Sequence, residues 1–239
     1  MTLLLCWMLG ARADEGALAS FTASIARMET AIANLKDATY VFHQTEVVKC
    51  KQQPAQEMEV KYRPPLDVYM SWRGNEHKGQ QVLFRKGKEK GKLLVDPGPW
   101  IPSLWLDPKG NLATRGQRGN IHKMGFVALA DIFRSDATLI ETAAGGLDPT
   151  VTDLGKMAVH GQSAQCFRAE FPKDREPKLY ASKVEVCFGV SSKLPISIKS
   201  WTTECGALRL VEEYSYADLK TNVGLTDMDF DPKNPVYGF

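Results

Sequence analysis

Apolar and polar positions alternate with a period of two from Met58 to Trp72. Met58, Val60 and Tyr62 interleave with Glu57, Glu59, Lys61 and Arg63, and after Pro64-Pro65 the pattern resumes as Leu66, Val68, Met70 and Trp72 against Asp67, Ser71 and Arg73. Side chains of a strand point alternately to opposite faces, so this stretch predicts two strands with one apolar and one wet face. Proline donates no ladder hydrogen bond, which puts the Pro64-Pro65 pair at the bend between them. The apolar side is rich in thioether and aromatic groups, which adapt to varied apolar shapes, although the same pattern serves an ordinary core face.

A second periodicity precedes it. Leu18, Phe21, Ile25, Met28, Ile32 and Leu35 recur at three- and four-residue steps, predicting an amphipathic helix over residues 16–36 with its stripe on a sheet. Strands are then predicted over 39–49, 80–85, 92–95 and 103–106, separated by turn chemistry such as Gly74-Asn75, Lys90-Gly91 and Asp107-Pro108-Lys109-Gly110. Residues 121–133 are apolar at helical spacing, and a weaker helical piece follows over 138–144. Strands resume over 151–159, 162–171, 180–188, 196–202 and 208–216, before an irregular tail. A twisted antiparallel sheet of about 11 strands must curl, and helices on one face make it an α+β half-open barrel covered by a long N-terminal helix and short lid helices.

The 239 residues contain no linker-like stretch and no internal repeat, so residues 14–239 read as one domain, expected to be a monomer. The net charge of +2 gives no reason to expect nucleic acid as a partner. Residues 85–92, R-K-G-K-E-K-G-K, read first as a solvated hairpin turn. The apolar start ends in Ala11-Arg12-Ala13, the small-x-small pattern of a secretory signal peptide over residues 1–13 cleaved before Asp14. It is too short to span a bilayer, and no charged n-region precedes it. Export to the periplasm would leave Cys50, Cys166, Cys187 and Cys205, an even number in an oxidising compartment. Cys166 shares a strand face with Arg168 and Glu170, and Cys187 with Lys183 and Glu185. Both therefore sit on the wet side of a hairpin turning near residues 174–177, where they can bond. A Cys50–Cys205 bond would require the first and last strands to lie side by side and antiparallel.

Catalytic and metal chemistry is not legible. His43, His77, His122 and His160 have no partner at ligand spacing, and no phosphate-cradling glycine loop, nucleophile elbow or dinucleotide fingerprint occurs. Asp227, Asp229 and Asp231 alternate like oxygen ligands, but without the glycine and distal glutamate of a calcium loop they read as a solvated tail. Neither a metal nor a cofactor is expected. Arg63, at the mouth of the opening hairpin, is the polar residue of interest, because its five donors can hold backbone carbonyls of a covering helix.

The stretch V-K-Y-R-P-P-L-D-V-Y-M-S-W resembles the strand pair of the periplasmic lipoprotein carriers LolA and LolB, which also turns at an Arg-Pro step. K-G-Q-Q-V-L-F-R-K-G-K, G-Q-R-G-N-I-H-K-M-G and the C-terminal Y-S-Y-A-D-L-K-T-N-V-G-L-T-D-M-D-F-D-P-K-N-P-V-Y-G-F resemble a secreted bacterial domain family of unassigned function related to that fold, over nearly all of residues 36–239. The carrier resemblance implies a half-barrel closed by helices, an apolar cavity for acyl chains, no covalent chemistry, and a lid-latching role for Arg63. The four cysteines and the C-terminal tail depart from the carriers, and the fold also serves sensors and an enzyme, so fold alone does not fix function. The leading expectation is a non-enzymatic periplasmic carrier of lipid or lipoprotein acyl chains. Its candidate ligand contacts are Met58, Val60, Tyr62, Leu66, Val68, Met70, Trp72 and Phe84, with Met124 and Val127 from the lid. The alternatives are an envelope sensor or assembly module with a protein partner, and an enzyme acting on an apolar substrate.

Overall fold

The computed structural model describes residues 6–98, 100–143, 146–172 and 178–239. Helix α1 (Cys6–Ala33) leads into β1 (Ala38–Val48), β2 (Lys51–Gln52), β3 (Gln56–Arg63), β4 (Asp67–Trp72), β5 (Gln81–Arg85), β6 (Leu93–Asp96) and β7 (Leu104–Leu106). Helix α2 (Gly125–Thr142) separates these from β8 (Thr150–Val159), β9 (Gln162–Glu170), β10 (Lys183–Gly189), β11 (Pro195–Glu204) and β12 (Ala207–Thr221).

The strands form a single sheet in the order β7-β6-β5-β4-β3-β1-β12-β11-β10-β9-β8, with the short β2 paired to β1 off this path. Every pairing in it is antiparallel. The chain walks outward from β1 to one edge, crosses by way of α2 to the other, and walks back until β12 lies beside β1. Edges β7 and β8 are not neighbours, so the barrel stays half open, as the pattern predicts. Its concave face carries the main core, including Phe42, Met58, Val68, Phe84, Phe167 and Val186, and α1 lies across the second half with Phe21 5.5 Å from Phe167, ring to ring.

Both disulfides form as expected. Cys166 and Cys187 are direct register partners on β9 and β10, and Cys50–Cys205 ties the turn after β1 to the turn before β12. The face assignment of the first bond needs correction: Cys166 is fully buried with Ala164 and Ile196 in an apolar cluster, not on a wet surface. The hairpin turn near 174–177 lies outside the described residues, as do residues 1–5 of the expected leader and residue 144 of the second helical piece.

Three element boundaries differ from the sequence reading in ways that bear on function. The two helical pieces after residue 121 are a 3-10 turn, Ile121–Lys123, followed by one continuous helix, because Arg134-Ser135-Asp136 contains no breaker. The joint between them is Gly125, with φ +81° and a would-be Cβ only 2.2 Å from the Tyr62 ring, a position no side chain fits. Strand β10 begins at Lys183 instead of Tyr180, which leaves Tyr180 free to turn towards the barrel interior.

The tail is the largest correction. Tyr69, Leu83 and Leu94 point to the convex face, and residues 225–239 cover them with Phe230, Tyr237 and Phe239. Phe230 is fully buried, and Tyr237 stacks on Tyr69 at 3.9 Å. Buried Asp37 holds the start of this strap by accepting from the backbone N–H groups of Val223, Gly224 and Leu225. Asp227 is exposed as expected but not free: it and the part-buried Asp229 belong to a 3-10 turn, Asp227–Phe230, and pair with Arg63 and Lys61.

Candidate ligand cavity

Phe126 decides where the barrel is filled. It is fully buried at the start of α2, edge-on to Tyr62 (5.9 Å) and Tyr40 (5.7 Å) and 5.2 Å from Tyr216. The Tyr62 hydroxyl donates to Pro65 O and accepts from Val127 N, at 3.3 and 3.5 Å, and burial pushes its pKa up to about 12. This plug occupies the end of the trough at the proline bend. Besides Gly125 and Phe126 the one buried residue of α2 is Ala130, and its part-buried stripe Leu129, Ile132, Phe133 and Ile140 borders open space.

That space is a cavity of about 1850 Å³. Small-molecule sites commonly measure ~300–1,000 Å³, so this one is large. Phe21 and Ile25 of α1, Phe42 and Met58, Met70 and Trp72, Val184, Ile198 and Tyr214 form its walls, and residues 111–121 and Met124 run along its rim. Of the sequence-predicted contacts, Met58, Met70, Trp72 and Met124 line it. Val60, Tyr62, Leu66, Val68, Phe84 and Val127 pack at the plugged end and do not.

Arg63 does not reach a covering helix. Its guanidinium bonds Asp67 and Asp227 at 2.7 and 2.8 Å and lies 4.7 Å over the Phe230 ring, so it fastens the tail on the convex side. Those hydrogen bonds outweigh its partial burial and raise its pKa, and they hold the Asp227 carboxyl below its usual range.

The arginine that does tie a covering segment down is Arg118. Its backbone N–H donates to Glu46 Oε2 at 2.8 Å, and its Nη1 donates to Val47 O at 2.7 Å and to Glu204 Oε2 at 2.8 Å. Its Nε lies 3.4 Å from Glu212 Oε1. Glu46 and Glu212 are direct partners across β1 and β12, both buried and both on the cavity wall. Tyr214 donates to Glu46, and Tyr180 donates to both oxygens of Glu212 at 2.8 and 2.9 Å. Burial raises the Glu212 pKa, while Tyr180 and Arg118 draw it back in part, and burial also raises both tyrosines. Half-buried Asp136 of α2 accepts from Tyr180 N at 3.1 Å, and burial lifts its pKa too. The sequence signal for this corner is phase: Glu46 falls in step with Phe42 and Gln44, and Glu212 with Tyr214 and Tyr216, each a charge on an inward face.

Two of the four histidines pair with each other, while His77 lies edge-on to Trp72 and His122 to Phe84. His43 stacks on His160 at 4.7 Å, and the one cluster of possible ligand groups among the described residues, Cys50, Glu204 and Cys205, contains a disulfide. No described helix is long and apolar enough to cross a membrane.

Residues 35–239 match the model of a family described as a protein of unknown function, DUF1571. The chain belongs to that family. The expected kinship with a family of unassigned function is thereby met. No curated protein matches it in sequence. Among solved structures it is similar to the lipoprotein LppX of Mycobacterium tuberculosis, at 13% identity and TM-score 0.47 over 87% of this chain and 97% of that one. It is also similar to a LolA superfamily protein of Nitrosomonas europaea, at 13% identity and TM-score 0.36 over 88% and 96%. MucB of Pseudomonas aeruginosa, in complex with MucA, matches at 14% identity and TM-score 0.45, and the chain spans 59% of its length. These are likenesses of overall shape.

Proposed function

We propose that this protein binds and carries an acyl-chain-bearing molecule, a lipid or an acylated lipoprotein, outside the cytoplasm, without altering it covalently. The observation that carries the reading is the unfilled apolar cavity under α2, whose walls include the part-buried Leu129, Ile132, Phe133 and Ile140 of that helix. Burying a long acyl chain there gains about 0.8 kcal/mol per methylene, on the order of 10 kcal/mol gross, so apolar area suffices for retention. The two disulfides support an oxidising compartment, and a cleaved leader over residues 1–13 is the matching route of export.

Native mass spectrometry of protein purified from its own periplasm tests this. The expected result is a discrete added mass that organic extraction removes and that proves to be an acyl species. Protein that is empty as isolated, and that also fails to take up a dansylated undecanoic acid, would overturn it. A co-purified species consumed on incubation would assign an enzyme instead.

A further inference from the structure

The corner around Glu212 is chemically out of place in an apolar wall. Like charges directly opposite each other across an antiparallel pair destabilise a sheet, and buried ion clusters can usually be replaced by apolar residues at no loss of stability. Yet Glu46 and Glu212 face each other at 4% and 5% exposure, and Ser200 beside them is equally buried. With Glu204 and Asp136 the corner holds four carboxyl groups. Against them stand Arg118, already shared among Glu46, Glu204 and Glu212, and Lys123, which lies over the Tyr180 ring at 5.9 Å. Lys49, Lys51 and Arg115 also border the cavity, but among the described ion pairs the buried couple Glu46 and Glu212 has a single cationic partner, the Arg118 guanidinium, which it shares with Glu204. The unfilled cavity opens onto Glu46, Glu212 and Asp136.

Building on the acyl-binding reading above, we propose that the cavity's ligand is an amphiphile with a protonated amine in its head. The amine sits against Glu212, Glu46 and Asp136, and the chain lies along Met58, Trp72, Val184 and Ile198. An ammonium group supplies three donors and the missing positive charge at once, and it does so where water is largely excluded and charge-assisted hydrogen bonds are strongest. A carboxylate or phosphate head would instead add like charge to an acidic corner.

Dodecylamine, dodecanol and dodecanoic acid share one chain and differ only in the head, so they separate this inference from the reading it rests on. Each is titrated at about pH 7, where the amine and the acid are both ionised, against the intact protein holding a dansylated undecanoic acid. The expected result is displacement by the amine at a concentration at least about tenfold below that of the acid, the scale of one charge-assisted hydrogen bond. Glu212→Gln and Glu46→Gln should each shrink that preference, read as the ratio of displacement by the amine to displacement by the acid in the same variant, and thermal melts identify the variants that fold. Asp136→Asn serves in place of either variant that does not. Equal or better displacement by the acid overturns the amine assignment alone, as does a preference that survives every folded variant. Failure of all three probes to displace the dye overturns the acyl cavity and the head-group assignment together.

Discussion

Arg118→Leu isolates the energetics of the charged corner. The substitution keeps an apolar stem and the backbone N–H that Glu46 accepts from, but removes the guanidinium that bonds Glu204 and lies against Glu212. Taking one partner from a buried ion cluster leaves uncompensated charge and costs about 3–5 kcal/mol. A chain of this length loses roughly 2–4 °C of Tm per kcal/mol, so the melting point should fall by about 6–20 °C. The pH dependence carries the sharper test. Burial already holds the Glu212 pKa above the ordinary carboxyl range, and Arg118 is one of the groups pulling it down, so the variant pushes it higher still. A carboxyl whose folded pKa exceeds its unfolded one binds its proton more tightly when folded. Its penalty is therefore full above the folded pKa and fades as pH falls towards the unfolded value. Urea unfolding at about pH 7.5 and about pH 5 should show the larger loss at the higher pH, and adding Glu212→Gln should restore part of it. A loss under about 1 kcal/mol, the cost of an ordinary exposed arginine, or an equal loss at both pH values, would refute the role given to Arg118.

Phe230→Ala should cost about 3–5 kcal/mol, because the ring is fully buried under the tail, and limited proteolysis should then cut within residues 222–239. Gly125→Ala combines positive-φ strain of about 1–3 kcal/mol with an overlap against the Tyr62 ring, so a large drop in thermal melting is expected. Asp136→Asn should raise stability at neutral pH, since its folded pKa is lifted by burial, and the gain should vanish as pH falls towards 3.8 in a pH series of melts. Amide hydrogen exchange should be faster over 132–142 than over 125–131, and uniform protection along the helix would contradict a one-ended anchor.

The period-two alternation gave away the strands and their inner face, because burial on one side of a sheet imposes that rhythm directly. The cysteine pairing was legible for the same reason: Cys166 and Cys187 share a face on adjacent strands, and Cys50 and Cys205 require β1 beside β12. What periodicity cannot say is which end of the trough is filled. One side chain, Phe126, settles that, and it moves six of the ten expected contacts from the cavity into the core. Nor does alternation show that a polar-looking face is covered. Tyr69, Leu83 and Leu94 lie on the convex side, and only the folding back of Phe230 and Tyr237 reveals why they are apolar. Arg63 was singled out for its place at a hairpin mouth, but its partners lie 4 and 164 residues away on the convex side. Arg118 reaches Glu46 across 72 residues, a pairing no local pattern encodes.

The placement of these charges explains why one fold can be rigid and still admit a guest. At the plugged end, α2 is fixed by full burial of Phe126 and by a glycine that lets the chain press on Tyr62. Further along, the described polar ties from α2 to its surroundings are the exposed Arg134–Glu29 pair to α1, individually weak, and the Asp136 carboxylate accepting from Tyr180 N. The rim segment, by contrast, is tied by Arg118 to buried carboxylates whose attraction is screened far less. Opening is therefore cheapest where the far half of α2 lifts away from α1, because that motion breaks one exposed ion pair and the Asp136–Tyr180 hydrogen bond and leaves the plug intact. The apolar cost of such a motion falls on Leu129, Ile132, Phe133 and Ile140, the side chains a bound acyl chain would cover. Occupancy would thus stabilise the closed helix in proportion to the length of chain buried.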